Sequence, residues 1–247
     1  MNIRFIQAAL LRCCAAAILT MPLLSHAAIV PDRTRLIYNE GAQQSASIMV
    51  TNRSDKYPYL IQSWIEDESG RKVNAPFMVL PPLQRIEPSG KNILRVILLP
   101  GNAMPADRES VYFLNILEIP PKTGVENALQ IAVHSKLKLF YRPAAVQPKA
   151  SEDPTLPMTA KIDPASHTLV FDNPTPLHVS VVEIRAGEDK KPVELSAAFM
   201  VDPMSQASVP FAQQVPTTLY VSHMNDYGGQ TEVKYVCNAG ICTSVQP

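Results

Sequence analysis

Turn-forming residues divide this sequence into short segments, and that division constrains the fold more than any other feature. Clusters of Pro, Gly, Asn, Asp and Ser recur about every ten residues, which is the spacing of strands in a β-sandwich. Between the clusters apolar and polar residues alternate, so that Ala46, Ile48 and Val50 fall on one face of a strand. No segment sustains the 3.6-residue period of a helix, and 23 Pro residues also favour strands because Pro breaks a helix interior.

The predicted strands form two groups. The first group comprises residues 45–52, 59–65, 92–99, 111–119 and 129–142, and the second comprises residues 168–171, 179–184, 197–201, 218–222 and 232–237. Residues 144–157, which separate the groups, carry three Pro, two acidic residues and several small residues, as is typical of a linker. The sequence therefore predicts an all-β fold of two β-sandwiches in tandem, at residues 28–147 and 148–247.

Composition excludes several classes of protein. An apolar fraction of 46% argues against intrinsic disorder, because such a chain can bury enough surface to offset its ordering entropy. The formal net charge of zero gives no basic footprint for nucleic acid. Outside the N-terminus there is no uncharged apolar run of about 18 residues, so we expect no membrane insertion.

The N-terminus has the pattern of a secretory signal peptide. Arg4 supplies the positive charge, residues 8–24 are mostly apolar, and Ser25 and Ala27 are the small residues of a cleavage site after Ala27. A lipoprotein signal at Cys13 is the alternative, but the bulky Arg12 before it does not suit that site. Cleavage would lower the basic count from 22 to 20 against 22 acidic residues, for a net charge of −2.

Cleavage would also leave a single pair of cysteines in an exported chain. Cys13 and Cys14 would be lost, and Cys237 and Cys242 would remain with a spacing that fits a disulfide-closed hairpin. A metal site is the weaker interpretation, because two thiolates with no nearby His or second Cys pair cannot complete a tetrahedral site.

Residues 129–142 form an unusually long alternating segment. Leu129, Ile131 and Val133 share a face with Leu137 and Leu139, whereas His134, Lys136 and Lys138 lie on the other. A strand of this length, against the usual five or six residues, is either a central core strand or an edge that offers its backbone and apolar side chains to a partner. The alternation does not distinguish these interpretations.

Eight short motifs give the sequence a family resemblance. They are Asp32-Arg33-Thr34-Arg35, Pro58-Tyr59-Leu60 with Trp64-Ile65-Glu66, Pro81-Pro82 with Gln84-Arg85, Asp107-Arg108-Glu109-Ser110, Glu118-Ile119-Pro120-Pro121, Lys138-Leu139-Phe140-Tyr141-Arg142-Pro143, Asp172-Asn173-Pro174-Thr175-Pro176 and Asn225-Asp226-Tyr227-Gly228-Gly229. In this order and spacing they resemble periplasmic pilus-assembly chaperones of the PapD type. The resemblance covers the entire chain that would remain after cleavage.

The resemblance implies two immunoglobulin-like domains in a boomerang arrangement. Such a chaperone caps pilus subunits, both pilins and adhesins, on their way to an outer-membrane usher. Each subunit lacks its last strand, and the chaperone lends residues 129–139 to the gap, with Leu129, Ile131 and Val133 filling the subunit's groove. Only six residues separate Pro121 from Ala128, which resembles the short-loop subfamily. When free, the donor strand could pair with its copy in a second molecule.

The resemblance also assigns roles to charged residues. Arg35 and Lys138 match two cations that bind the subunit's C-terminal carboxylate; solvated surface cations are the alternative. Glu109, Arg142 and Asp226 match an ion-pair group that joins the domains; three unrelated surface charges are the alternative.

Other functions fit the sequence less well. No ligand spacing links the histidines, and no Gly-x-Ser-x-Gly motif or phosphate loop occurs, so we expect neither catalysis nor a metal or other cofactor. The stronger alternative is a secreted two-domain adhesin or carbohydrate-binding module, which would need an exposed aromatic platform. We expect Trp64, in the middle of a strand, to lie in the core instead.

Overall fold

The computed structural model describes residues 28–42, 44–101, 104–122, 129–149, 153, 155–195, 197–211 and 216–245. Regular structure in these residues is β-strand apart from one 3-10 turn, Ala144–Val146, which confirms the all-β prediction. No helix in the described part of the chain is long and apolar enough to cross a bilayer. The predicted signal peptide and residues 123–128 of the predicted short loop lie outside the described residues.

Ten strands precede the 3-10 turn. They are β1 (Ile29–Pro31), β2 (Arg35–Asn39), β3 (Ser45–Asn52), β4 (Tyr59–Glu66), β5 (Lys72–Val73), β6 (Phe77–Leu80), β7 (Leu83–Ile86), β8 (Lys91–Leu98), β9 (Ser110–Ile119) and β10 (His134–Arg142). One sheet has the order β1-β3-β8-β6, and the other has β2-β10-β9-β4-β5 with β7 also on β4. β2 runs parallel to β10, whereas the other pairs are antiparallel.

Alternating apolar residues of both sheets form the core of this N-terminal domain. Ile48 and Leu94 from the first sheet belong to the same buried cluster as Ile61, Leu114 and Leu139 from the second. Because each strand points every second side chain inward, the intervening residues face outward. The result is an immunoglobulin-like sandwich.

Nine strands follow the 3-10 turn and form the C-terminal domain. They are β11 (Thr159–Asp163), β12 (Thr168–Asn173), β13 (Val179–Ala186), β14 (Lys191–Pro192), β15 (Phe199–Val201), β16 (Ser205–Pro210), β17 (Thr218–Met224), β18 (Gln230–Asn238) and β19 (Ile241–Ser244). Their order is β14-β13-β17-β18-β19-β11-β12-β16, with β15 on β13. Leu169 of β12 and Val181 of β13, far apart in this order, share one core, so the sheet folds over on itself.

The long strand predicted at residues 129–142 is shorter in the structure. β10 begins at His134, and Leu129 and Ile131 lie before it, 87% and 61% exposed. The register that pairs His134 with Leu117 would place Pro120 and Pro121 opposite this segment. Proline has no N–H to donate, so the ladder ends after the bond from Glu118 N–H to the Val133 carbonyl.

The core position predicted for Trp64 is wrong. The core face of β4 carries Ile61, Ser63 and Ile65, so Trp64 points outward and is half-buried. Its indole stacks on the His134 ring at 5.2 Å and donates a hydrogen bond to Glu66. With an imidazole against one side, Trp64 is not a free, flat platform for a sugar.

Candidate binding site in the interdomain cleft

The two cations singled out in the sequence are neighbours. Parallel pairing of β2 with β10 places Arg35 directly opposite Lys138. The Arg35 guanidinium is buried, lies over the Phe140 ring, and donates to the Met224 carbonyl at 3.1 Å. Lys138 Nζ is half-buried and donates to Ser180 Oγ at 2.9 Å. Both cations therefore extend from the N-terminal domain to contact the C-terminal domain.

Neither cation has a carboxylate partner among the described residues. The ion pairs found there include neither Arg35 nor Lys138, and Arg35 Nε lacks a hydrogen-bond acceptor although the residue is only 7% exposed. Burial lowers the pKa of Arg35; the charges of Asp226 and Glu109 oppose this in part, and the charge of Arg142 adds to the lowering. Burial also lowers the pKa of Lys138, and the charge of Arg35 lowers it further, although the charge of Asp202 acts in the opposite direction. Two desolvated like charges side by side form a site for an anion.

An open cavity of about 360 Å³ lies between the domains beside Arg35. Both domains line it, the N-terminal one with Phe140 and Arg142 and the C-terminal one with His178, His223 and Tyr227. Its walls carry both signs of charge, because Glu109, Asp153 and Asp226 line it along with Arg35 and Arg142, whereas Lys138 is not among the lining residues. Since Arg142 is already paired with Glu109 and Asp226, an anionic group that entered the cavity would meet the Arg35 guanidinium, which has no carboxylate partner among the described residues.

Arg142 lies at the centre of an ion-pair group that joins the domains. Its Nε donates to Glu109 Oε1 at 2.7 Å, and its Nη1 and Nη2 donate to the Asp226 carboxylate at 2.6 and 2.9 Å. Burial alone would lower the pKa of Arg142, but the hydrogen bonds and charges of Asp226 and Glu109 outweigh it and raise that pKa. The structure thus brings all three predicted residues together in one group.

Sequence reasoning missed two residues of this junction. The backbone N–H of His178 donates to Glu109 Oε2 at 2.9 Å, and its ring lies against Phe140. Ser180, two residues further along β13, is the hydrogen-bond partner of Lys138. Neither residue carries a motif of its own, and only their place immediately after the Asp-Asn-Pro-Thr-Pro motif could have drawn attention to them.

The apolar residues predicted to enter a subunit lie upstream of the cations. Leu129 and Ile131 are exposed and Val133 is partly buried. Along β10, Leu137 and Leu139 are buried in the core, whereas Lys138 points to the opposite face. The apolar segment and the cation pair therefore belong to one continuous stretch of chain.

The C-terminal domain contains the predicted disulfide. Cys237 of β18 lies opposite Cys242 of β19, and their sulfur atoms are bonded, which confirms the prediction. Among the described residues no group of three or more His, Cys, Asp and Glu side chains could hold a metal ion.

Family models and known proteins match nearly the entire described chain. Residues 28–147 match the pili and flagellar-assembly chaperone PapD N-terminal domain, and residues 155–235 match the pili assembly chaperone PapD C-terminal domain. The chain is 36% identical over 217 residues to the probable fimbrial chaperone YfcS of Escherichia coli K12, covering 87% of this chain and 85% of that protein. It is 35% identical over 222 residues to the chaperone protein PapD of Escherichia coli, covering 88% and 90%.

Solved structures agree with these matches. The periplasmic chaperone SfaE is 34% identical with a TM-score of 0.68, and the match covers 85% of this chain and 100% of that one. The SafB chaperone of Salmonella enterica, in complex with SafA pilin, gives 26% identity and a TM-score of 0.74, with coverage of 86% and 98%. The chain therefore belongs to the PapD family of pilus-assembly chaperones.

Proposed function

We propose that this chaperone caps pilus subunits in the periplasm by lending them the predicted donor strand 129–139, of which β2 leaves residues 129–137 uncovered, while Arg35 and Lys138 bind the subunit's C-terminal carboxylate. The single observation that carries the proposal is the pair of adjacent, desolvated cations without a carboxylate partner in the described residues. A carboxylate placed there would offset the repulsion between the two positive charges. It would also accept a hydrogen bond from the Arg35 Nε–H group.

The edge of β10 supports the same proposal. β2 pairs with β10 only from Lys138 onwards, so within the described parts of the chain His134–Leu137 have a strand partner on the β9 side alone. A subunit strand added to this free edge would gain main-chain hydrogen bonds, and the exposed Leu129 and Ile131 would gain apolar contacts. Each aliphatic side chain fully buried in this way contributes about 1.5 to 3 kcal/mol.

The positions of the edge and the cations together specify a direction. A strand that lies along the free edge and ends with its carboxylate at Arg35 ends where β2 begins. Such a strand must run parallel to β10, because its C-terminus lies at the Lys138 end. The cations would thereby fix the register of the added strand as well as its affinity.

Export and delivery complete the proposal. Cleavage of the predicted signal peptide after Ala27 would release the chain into the periplasm, where an outer-membrane usher would receive the loaded chaperone. In this proposal the chaperone binds and releases subunits, and no catalytic step is assigned to it.

Single alanine variants of the two cations test this function. Arg35→Ala and Lys138→Ala should each reduce the subunit recovered with the chaperone at least tenfold, since losing one partner of a buried charge contact costs about 2 to 5 kcal/mol. The measurement is the mass and stoichiometry of complexes purified from periplasm after co-expression with neighbouring pilus subunit genes. Lys161→Ala, which removes an exposed cation from β11, is the matched control.

Two results would contradict the proposal. One is undiminished subunit recovery with both cation variants. The other is a purified wild-type protein that retains a glycan and no subunit, which would favour the adhesin alternative.

A further inference from the structure

A rigid turn presents one fully exposed aromatic side chain at the mouth of the cleft. Tyr227 is 94% exposed, the highest value among the large apolar side chains exposed in the described residues. Asn225 Oδ1 accepts hydrogen bonds from the backbone N–H groups of Tyr227 and Gly229, at 3.1 and 2.9 Å. The Gly228 N–H donates to the Asn225 carbonyl at 3.0 Å. These bonds fix the backbone that carries the Tyr227 ring.

The same turn is docked on the N-terminal domain. Gly228 has φ +82°, and a Cβ added there would lie 2.7 Å from Thr34 Oγ1, so only glycine allows this approach. Asp226 on the turn binds Arg142, and the Met224 carbonyl just before it accepts the hydrogen bond from Arg35. The position of Tyr227 relative to the Arg35 guanidinium is thereby fixed across the domain boundary.

We propose that Tyr227 is a specificity-determining residue that contacts the side chain of the last residue of the bound subunit. This inference rests on the proposed function, since it takes the carboxylate at Arg35 and Lys138 as the fixed point. Tyr227 and Arg35 line one cavity, so a chain whose terminal carboxylate is held at Arg35 has its last side chain beside the turn. The charge of the cation pair requires an anion, and the proposed function identifies that anion as the C-terminal carboxylate of a subunit.

The chemistry of the ring indicates which C-termini it favours. An exposed tyrosine ring gains most from covering a large apolar or aromatic side chain, and nothing from glycine. Since the turn is already ordered, the contact costs only the rotamer freedom of Tyr227. The chaperone should therefore distinguish clients by their last residue in addition to the apolar residues of their final strand.

Short synthetic peptides with alternating apolar residues test the inference. They end in Phe or in Gly, each as a free acid and as an amide, and their dissociation constants are measured by fluorescence anisotropy. The wild type should bind the acid forms more tightly, and the Phe acid more tightly than the Gly acid. Tyr227→Ala should weaken binding of the Phe acid about fivefold and leave the Gly acid unchanged.

Control variants separate this contact from general surface effects. Tyr227→Phe keeps the ring and should bind like the wild type. Tyr57→Ala removes another exposed tyrosine, 58% exposed in the N-terminal domain, and should leave all four dissociation constants unchanged. Thermal unfolding of each variant checks that the fold is intact.

The outcomes distinguish the inference from the proposed function. If acids bind more tightly than amides but Tyr227→Ala does not alter the preference for Phe over Gly, the role of Tyr227 is wrong and the carboxylate site stands. Equal binding of acids and amides, or no binding of either, would overturn the carboxylate site and the inference with it.

Discussion

At the residue scale, one buried asparagine in each domain organises the loops around it. Asn52 and Asn173 both end a strand, β3 and β12, and both side chains are almost fully buried. Each side-chain amide donates to three backbone carbonyls, those of Tyr57, Ile86 and Glu87 for Asn52 and those of Leu177, Val201 and Asp202 for Asn173. The two domains therefore use the same device to bind irregular segments to a strand end.

Replacing Asn173 with alanine should lower the free energy of unfolding by about 2 to 3 kcal/mol, because buried carbonyl groups lose their donor. Asn92→Ala, which removes a single exposed hydrogen bond to the Arg85 carbonyl, should change it by less than about 0.5 kcal/mol. Urea denaturation of both variants measures the difference. Equal losses from the two variants would show that the buried amide does not organise its loops.

His223 should make stability depend on pH. Burial lowers its pKa below the ordinary value of 6.5, and the charge of Arg35 lowers it further, although Asp153 acts in the opposite direction. The native state then binds fewer protons than the unfolded state, so stability falls as the pH drops below about 6.5. When the pH is lowered from about 7.5 to about 5.5, the free energy of unfolding should fall less for His223→Gln than for the wild type, as measured by urea denaturation at each pH. Identical losses would contradict this assignment.

Residue roles at the cleft could be predicted only in part. Arg35, Lys138 and Arg142 were identified by resemblance to a family, since nothing in their spacing reports that β2 lies beside β10. Ser180 and His178 were missed because their partners, Lys138 and Glu109, are 42 and 69 residues away in the sequence. Contacts between domains depend on the orientation of two folded units, which a local pattern does not contain.

At the element scale, each strand predicted from alternation and turn residues overlaps an observed strand, but several strands were not predicted, among them β2, β6 and β11. The segment 45–52 matches β3, and the segment 59–65 falls one residue short of β4. A half-buried strand needs alternating side chains, so its pattern reports its bounds. The pattern failed for residues 129–133, which precede β10. Pro120 and Pro121, which lie opposite them, have no N–H groups to donate to a β-ladder. It also failed for Trp64, because alternation does not say which face is the core.

The exposed segment before β10 gives a test of the donor-strand role. Ile131→Glu should leave the melting temperature nearly unchanged, since the side chain is already 61% exposed. In a subunit groove the same carboxylate would be buried without a partner, at a cost of several kcal/mol, and subunit capture should be lost. Thermal unfolding and co-purification measure the two effects. Normal capture of subunits by Ile131→Glu would exclude insertion of this side chain.

At the scale of the whole molecule, backbone contacts reinforce the ion pairs between the domains. The Glu109 N–H donates to the Pro176 carbonyl at 2.9 Å, and the Glu109 carboxylate accepts from the His178 N–H. The two groups of strands and the linker between them predicted two domains, but the relative placement of the domains depends on these few groups. Because Glu109 also binds Arg142, and Arg142 binds Asp226, one carboxylate connects three segments that meet at the cleft.

Glu109 should therefore contribute more to stability than Asp226. Glu109→Ala leaves a buried guanidinium and the His178 N–H short of an acceptor, and should destabilise the protein by about 3 to 5 kcal/mol. Asp226→Ala should cost less, because 44% of that side chain is exposed and water can replace part of its hydrogen bonding. Urea denaturation compares the free energies of unfolding, and small-angle X-ray scattering reports whether the domains separate.

The control for this comparison is an ion pair within one domain that does not connect the two domains. Glu87 pairs with Arg85 on the surface, with both side chains largely exposed, and Glu87→Ala should change stability by less than about 1 kcal/mol. If Glu109→Ala behaved like Glu87→Ala and left the scattering profile unchanged, the domain arrangement would have to rest on other contacts. A larger radius of gyration in Glu109→Ala, together with weaker subunit capture, would instead show that the geometry of the carboxylate site depends on Glu109. The reason is that Arg35 and Ser180 lie in different domains, and Glu109 connects those domains.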